Sequence, residues 1–150
     1  MRVRPGAARG FSLVELLLVL VLLGAGMFIV LPAIDRRLSE SEVKKTALGL
    51  AATARSLRAR ALYDGYPQYL TIDAAARSYE TRDGKIYLAP EIHFAEISGG
   101  EPGDRQERTF VFFPNGSVSG GVVAVQGDLT GTTYSVHLES LTGRVFIQQG

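Results

Sequence analysis

The feature that most constrains this 150-residue chain is an uncharged stretch close to its amino terminus. Nineteen residues, 16–34, separate Glu15 from Asp35 without a single charge. As an α-helix rising about 1.5 Å per residue, this stretch would extend about 28 Å, close to the roughly 30 Å hydrocarbon core of a bilayer. We therefore predict a membrane-spanning helix over residues 11–34, which leaves room for one further small domain.

The ten residues before this helix form a basic leader. They contain three arginines and no acid, and their removal changes the formal net charge of the chain from +1 to −2. Basic residues flanking a membrane span stay on the cytoplasmic side, so the leader predicts a cytoplasmic amino terminus and a body on the other side. A secretory signal peptide starts in the same way, but its apolar region is shorter and it has no place for an acid such as Glu15.

Glu15 lies within the apolar segment, where an ionised side chain is costly. An aspartate at the centre of an inserted helix costs about 2.5–3.5 kcal/mol, and an acid nearer the end costs less. Such a residue is by default functional and needs a partner. Cleavage after Gly10 would supply one, because Phe11 would then carry a free α-ammonium one helical turn from Glu15. These charges can pair within one chain or between neighbouring helices.

The run 10–15, GFSLVE, followed by the apolar stretch, resembles the processing and assembly signature of type IV pilins and type II secretion pseudopilins. The resemblance implies that a prepilin peptidase cuts after Gly10 and methylates Phe11, and that Glu15 is the assembly carboxylate. It also implies that the apolar helix serves as both membrane anchor and filament core. Pro32 falls where this family commonly places a proline that softens the helix.

Two glycines lie in the same apolar segment. Gly24 and Gly26 are spaced as G-x-G, which differs from the G-x-x-x-G spacing of a transmembrane dimer face. Together with Pro32, which removes an intrahelical hydrogen bond, they are predicted to be points of helix flexibility.

Residues 35–63 are predicted to form an amphipathic helix. Its apolar positions recur at spacings of three and four residues, which draws one stripe along the helix. The stripe consists of Val43, Ala47, Leu50, Ala54, Leu57 and Ala61. The opposite face carries Arg55, Arg58 and Arg60, which we interpret as solvated charges rather than as a patch that binds nucleic acid.

Residues 64–150 have the texture of an antiparallel β-sheet body, with short β-branched and aromatic runs between turn dipeptides. Asp83-Gly84, Asn115-Gly116 and Thr142-Gly143 predict reversals. The glycine-rich stretch Ile97–Gln106 is predicted to be a mobile loop. Seven strands are predicted: Gln68–Ile72, Arg77–Arg82, Lys85–Ala89, Thr109–Phe113, Gly121–Gln126, Thr132–Glu139 and Arg144–Gln148.

A second resemblance lies in the body. The segments 113–121, FPNGSVSGG, and 141–145, LTGRV, are similar to the C-terminal half of the H family of minor pseudopilins and of related fimbrial-type minor pilins. The resemblance implies an α+β, pilin-like fold in which a long N-terminal helix packs on an antiparallel β-sheet body. The implied function is that of a minor pseudopilin near the tip of a periplasmic pseudopilus for protein export. The alternative is a minor type IV pilin that takes part in pilus assembly, adhesion or DNA uptake.

This resemblance also sets the expected partners and location. The partners would be other pseudopilins, the prepilin peptidase and secreted cargo; nucleic acid is not expected, since the final strand carries Arg144 and no further charge. The expected location is the bacterial inner membrane, crossed once, with the C-terminal body in the periplasm.

No enzymatic chemistry is apparent in the sequence. There is no cysteine to act as nucleophile or thiolate ligand, and neither a P-loop nor a dinucleotide-binding motif is present. His93 and His137 stand isolated in strand-like contexts, where a structural, hydrogen-bonded role is expected. Asp128 and Glu139 could serve a calcium site, but no dense run of oxygen ligands surrounds them. We predict no catalytic residue, no metal and no cofactor.

Overall fold

The computed structural model describes residues 11–104 and 106–150, and it excludes the side chains of residues 27–39 from that description. One α-helix and nine strands are found in this part of the chain. Helix α1 spans Leu13–Asp64 and thus covers both predicted helical segments. The strands are β1 Gln68–Asp73, β2 Ser78–Thr81, β3 Gly84–Tyr87, β4 Ile92–Gly99, β5 Glu101–Pro102, β6 Glu107–Phe112, β7 Gly121–Gly127, β8 Thr133–Leu138 and β9 Val145–Gln149.

Both ends of α1 are capped by local hydrogen bonds. At the start, the Ser12 hydroxyl accepts a hydrogen bond from the Glu15 N–H at 3.1 Å, the usual arrangement of a serine N-cap. At the other end, Gly65 has a φ of +76° and its N–H donates to the Ala61 carbonyl at 3.1 Å. A left-handed glycine directly after the last turn is a common helix stop, so the sequence itself ends α1 at Asp64.

The strands form two antiparallel sheets. The first has the order β3-β2-β1-β6-β5 and the second the order β4-β7-β8-β9. The predicted Asp83-Gly84 reversal joins β2 to β3, and the Thr142-Gly143 reversal lies between β8 and β9. The α+β fold with antiparallel sheets is therefore confirmed.

The predicted apolar stripe of α1 packs against the sheets. All six of its residues are buried, together with Ala51. They join side chains from both sheets in one hydrophobic core, which includes Phe110 and Phe112 from β6 and Val123 and Val125 from β7. Residues 36–150 form one compact unit, and all the described core residues lie within it.

Two strands escaped prediction, and the loop predicted over Ile97–Gln106 is wrong in part. β4 runs over Ile92–Gly99, so Ile97–Gly99 belong to a strand, and Glu101–Pro102 form β5. The pairing of β4 with β7 shifts register between Phe94 and Glu96. This bulge places Phe94 and Ile97, three residues apart, on the same core-facing side. The alternation that signals a strand is therefore broken in the sequence.

Candidate functional site

The amino-terminal part of α1 presents an exposed apolar surface. Phe11, which precedes the Ser12 cap, is 79% exposed, and the apolar side chains from Leu13 to Leu23 are all exposed in the single chain. They are Leu13, Val14, Leu16, Leu17, Leu18, Val19, Leu20, Val21, Leu22 and Leu23. An exposed apolar surface this continuous marks a contact with lipid or with another protein.

Glu15 occupies the first turn of α1, at the third helical position after the Ser12 N-cap. A negative charge here is favoured by the helix dipole, which is positive at this end. The side chain is exposed, and its carboxylate has no hydrogen bond or ion pair within the described residues. This cap was not predicted, although Ser-x-x-Glu ahead of an apolar run is a known signal for a helix start.

The predicted flexible positions lie inside a continuous helix. α1 runs through Gly24, Gly26 and Pro32 without a break in its assignment. A Cβ added at either glycine would meet no atom within 4 Å, so close packing in the single chain does not explain the glycines. Their role in flexibility stays a prediction, and Gly10, the predicted cleavage residue, lies outside the described residues.

The membrane-spanning prediction is likewise not settled by the structure. Within the residues that the structure describes, no helical segment has the length and apolar character needed to span a membrane. Residues 27–34 of the predicted span 11–34 belong to the part whose side chains are outside the description.

Two predicted turns of the body meet at one arginine of α1. The Arg58 Nε donates a hydrogen bond to the Gly116 carbonyl at 3.0 Å, and its Nη2 donates to the Thr142 carbonyl at 3.0 Å. One turn earlier on the helix, the Arg55 Nη2 donates to the Val145 carbonyl at 2.9 Å. We call the contact among Arg58, the Gly116 turn and the Thr142 turn the two-turn junction.

The two-turn junction corrects one prediction. Arg58 is half-buried and engaged with two loops, so it is not a simply solvated charge. A guanidinium carries five N–H donors and suits this task, because turn carbonyls that lack a partner in a sheet need one. Helical periodicity gives no sign of these contacts, since they join residues 58 and 84 positions apart in the chain.

We expect Arg58→Ala to lower the free energy of unfolding of residues 36–150 by about 2 kcal/mol, because hydrogen bonds from a charged donor contribute about 1.5–3 kcal/mol each and this site is half-exposed. The matched control is Arg60→Ala, which removes only an exposed ion pair with Asp83 and should cost less than about 1 kcal/mol. Urea denaturation measures both. Equal losses for the two variants would contradict the role given to Arg58.

Each of the two histidines contacts another side chain of the body. Both lie on strands, His93 on the unpredicted β4 and His137 on β8, but neither is isolated: the His93 Nδ1 lies 2.6 Å from Asp128 Oδ1, and the His137 ring stacks on Phe146 with centroids 4.8 Å apart. Asp128 is thus engaged with His93, whereas Glu139 accepts a hydrogen bond from the Thr142 hydroxyl. Among the described residues, no cluster of three or more His, Cys, Asp and Glu side chains could hold a metal ion.

Comparison with known proteins gives matches in both sequence and structure, although no family model matches the sequence. Type II secretion system protein H of Xanthomonas campestris pv. campestris is 28% identical over 143 residues, which cover 91% of this chain and 81% of that protein. A structure of the minor pseudopilin EpsH of the Vibrio cholerae type 2 secretion system matches with a TM-score of 0.60 at 15% identity, covering 72% of this chain and 97% of that one. A crystal structure of the same pseudopilin gives a TM-score of 0.58 at 13% identity, with 74% and 96% covered.

The long capped helix packed on two antiparallel sheets is the fold of a pilin-like protein. Within that class, the sequence match is to the H-type protein of a secretion system, and the fold match is to a minor pseudopilin of the same type. The chain is therefore similar in sequence to an H-type protein of a type II secretion system, and it shares its fold with an H-type minor pseudopilin. The predicted family is therefore confirmed, and the minor type IV pilin alternative is not the one that the comparisons support. Pseudopilins are structural proteins rather than enzymes, and they are typically anchored in the inner membrane.

Proposed function

We propose that this minor pseudopilin is cleaved after Gly10, is anchored in the inner membrane by residues 11–34, and is then built into a periplasmic pseudopilus near its tip. The observation that carries the proposal is the exposed apolar surface of Phe11–Leu23, with Glu15 in its first turn. In the membrane this surface would contact lipid, and in the fibre it would contact the helices of other pseudopilins.

Glu15 would set the position of the subunit in the fibre. Cleavage after Gly10 creates an α-ammonium on Phe11, directly before the Ser12 cap. The carboxylate of Glu15 has no partner within the described residues, so it is free to neutralise the ammonium of a neighbouring subunit. A charge pair formed away from water is strongly favoured over two unpaired charges, which makes correctly staggered neighbours the stable arrangement.

The β-sheet body would lie in the periplasm and provide the surface seen by other minor pseudopilins and by cargo. All of its described core residues lie in residues 36–150, so the body would keep its fold while the amino-terminal segment exchanges lipid for protein contacts. Export of proteins would then depend on the assembled fibre rather than on chemistry within this chain.

The proposal is tested in a type II secretion host that lacks its own H-type pseudopilin. We expect the chain to restore secretion and to co-purify with other pseudopilins after chemical cross-linking. Leu20→Arg should abolish both, because arginine at the middle of an inserted helix costs about 2.5–3.5 kcal/mol.

The control for this experiment is Leu129→Arg in the body, where the leucine is 66% exposed against 62% for Leu20. The control should behave as the unchanged chain does. If Leu20→Arg also supported secretion and co-purification, residues 11–34 would not be the anchor and assembly segment.

A further inference from the structure

The edge strand β3 has an unused set of backbone hydrogen-bonding groups. The Leu88 N–H donates to the Arg77 carbonyl at 2.8 Å. This bond shows which of the opposite pairs of β2 and β3 are hydrogen-bonded to each other. Along an antiparallel ladder, hydrogen-bonded pairs alternate with non-hydrogen-bonded pairs, and Arg77 and Leu88 form a hydrogen-bonded pair. Gly84 and Ile86 therefore also point their N–H and C=O groups towards β2. The corresponding groups of Lys85 and Tyr87 point away from the sheet, and β3 is the last strand on this side among the described residues.

Strand β3 exposes one isoleucine side chain on the side of the sheet that faces α1. All four residues are exposed; Ile86, at 48%, is on the side of the sheet that faces α1, because it pairs with the buried Tyr79. A groove of about 290 Å³ separates this edge from α1. On the α1 side the groove is lined by Thr46, Gly49 and the charged Glu42 and Lys45, and on the strand side by Ile86, Leu88 and Ala89. A Cβ added at Gly49 would meet no atom within 4 Å.

Lysine on a short edge strand normally discourages pairing with other chains. Here the Lys85 ammonium already has two neighbours, since it lies 3.8 Å from the Asp73 carboxylate and 5.7 Å from the centre of the Tyr87 ring. Its charge is therefore partly balanced on the outer face of the sheet, and it lies on the side opposite Ile86. Lys85 therefore protects the edge of β3 against pairing with another strand less than an unpaired lysine would.

We propose that β3 pairs antiparallel with β3 of a second copy of this chain, with Ile86 opposite Ile86. In this register Lys85 of each copy lies opposite Tyr87 of the other, and both residues point their free backbone groups outward. Each of the two pairs exchanges two hydrogen bonds, so four bonds form across the two-fold axis. The same register places each lysine beside an aromatic ring of the other copy, and it brings the two exposed isoleucines together at the mouth of the groove.

The neighbouring register is disfavoured by charge. Centring the pair on Lys85 would place two lysines directly opposite each other, and like charges in that position destabilise a ladder. Centring it on Tyr87 would oppose Lys85 with Ala89, which gives up the lysine–aromatic contact. Of these three registers, the one centred on Ile86 combines four backbone hydrogen bonds, contact between the isoleucines and a lysine–aromatic contact without opposing two lysines. The pairing uses none of the residues 11–23, so it does not rest on the proposed function.

The absence of cysteine from the sequence allows a direct test with the purified full-length chain in detergent. Residues directly opposite in a non-hydrogen-bonded pair have Cα atoms about 4.5 Å apart, within the range that a disulfide spans. We expect Ile86→Cys to form a disulfide-linked dimer under mild oxidation, in at least fivefold greater yield than Leu48→Cys. The Leu48 side chain has the same 48% exposure as that of Ile86 and lies on α1.

A second change tests whether the backbone of the edge makes the contact. Tyr87→Pro removes an outward N–H and leaves the bonds to β2 intact, so in the Ile86→Cys background it should reduce dimer yield at least fivefold. Thermal denaturation of the double variant verifies that the body is folded. Equal yields for Ile86→Cys and Leu48→Cys, or a yield unaffected by Tyr87→Pro, would overturn the proposal. Cross-linking of Ile86→Cys to a different pseudopilin in cells, without the dimer, would also overturn it.

Discussion

Gly143→Ala is expected to lower the free energy of unfolding of residues 36–150 by at least about 3 kcal/mol, whereas Gly131→Ala should lower it by only about 1 kcal/mol. The two glycines have almost the same left-handed backbone, with φ of +63° and +65°. An alanine in that conformation costs about 1–2 kcal/mol at either position. What differs is the space around the added methyl group.

At Gly131 the methyl group would meet no atom within 4 Å. At Gly143 it would collide with the Gly116 carbonyl oxygen and with the Arg58 side chain, both of which belong to the two-turn junction. Backbone cannot yield as a flexible side chain can, so one turn must move and the hydrogen bonds of Arg58 are lost with it.

Urea unfolding of the two variants measures this difference. A loss of about 3 kcal/mol is a large share of the 5–15 kcal/mol by which small domains are stable, so Gly143→Ala should also lower the yield of folded protein. If the two variants were equally stable, the close approach of the turns at Gly143 would contribute nothing to the free energy of unfolding. The two-turn junction would then not stabilise the body.

Glu15→Ala is expected to leave membrane insertion intact and to reduce incorporation into pseudopili at least tenfold. Insertion should persist because the substitution removes a charge from an apolar segment, which favours the bilayer. Incorporation should fail because the α-ammonium of a neighbouring subunit would be left without a counter-charge away from water. The measurement is the fraction of membrane-bound chain recovered in cross-linked or sheared fibres.

Two further variants separate the charge of Glu15 from the size and polarity of its side chain. The Ser12 cap uses the backbone N–H of residue 15, so either substitution keeps it, and Glu15→Gln keeps the size and polarity of the side chain while losing its charge. We expect it to fail as Glu15→Ala does, while Glu40→Ala, at an exposed acid in the same helix, should incorporate normally. Normal incorporation of Glu15→Gln would mean that the charge of Glu15 is not needed for assembly.

The sequence predicts well those parts of the fold that depend on local pattern. The stripe from Val43 to Ala61 has helical spacing, and every member is buried. The Asp83-Gly84 and Thr142-Gly143 dipeptides encode reversals by their backbone preferences alone, and both are found. The Ser12 cap could also have been predicted from the local sequence, because its Ser-x-x-Glu signal spans only four residues.

The features that escaped prediction depend on contacts between distant residues. The bulge between Phe94 and Glu96 breaks the alternation of β4, and only its partner β7 reveals the register. Arg58 looks like any charge on an amphipathic helix until the folded chain brings Gly116 and Thr142 to it. The free edge of β3 likewise follows from sheet order, which no local signal encodes.

The most direct test of the proposed assembly is the mass of the chain recovered from assembled pseudopili. Intact-mass and N-terminal peptide measurements should show that the assembled chain begins at Phe11 and carries one added methyl group, with residues 1–10 absent. Assembled chain that retains the leader with its three arginines, or that begins beyond Ala25, would contradict the proposal that cleavage creates the partner of Glu15.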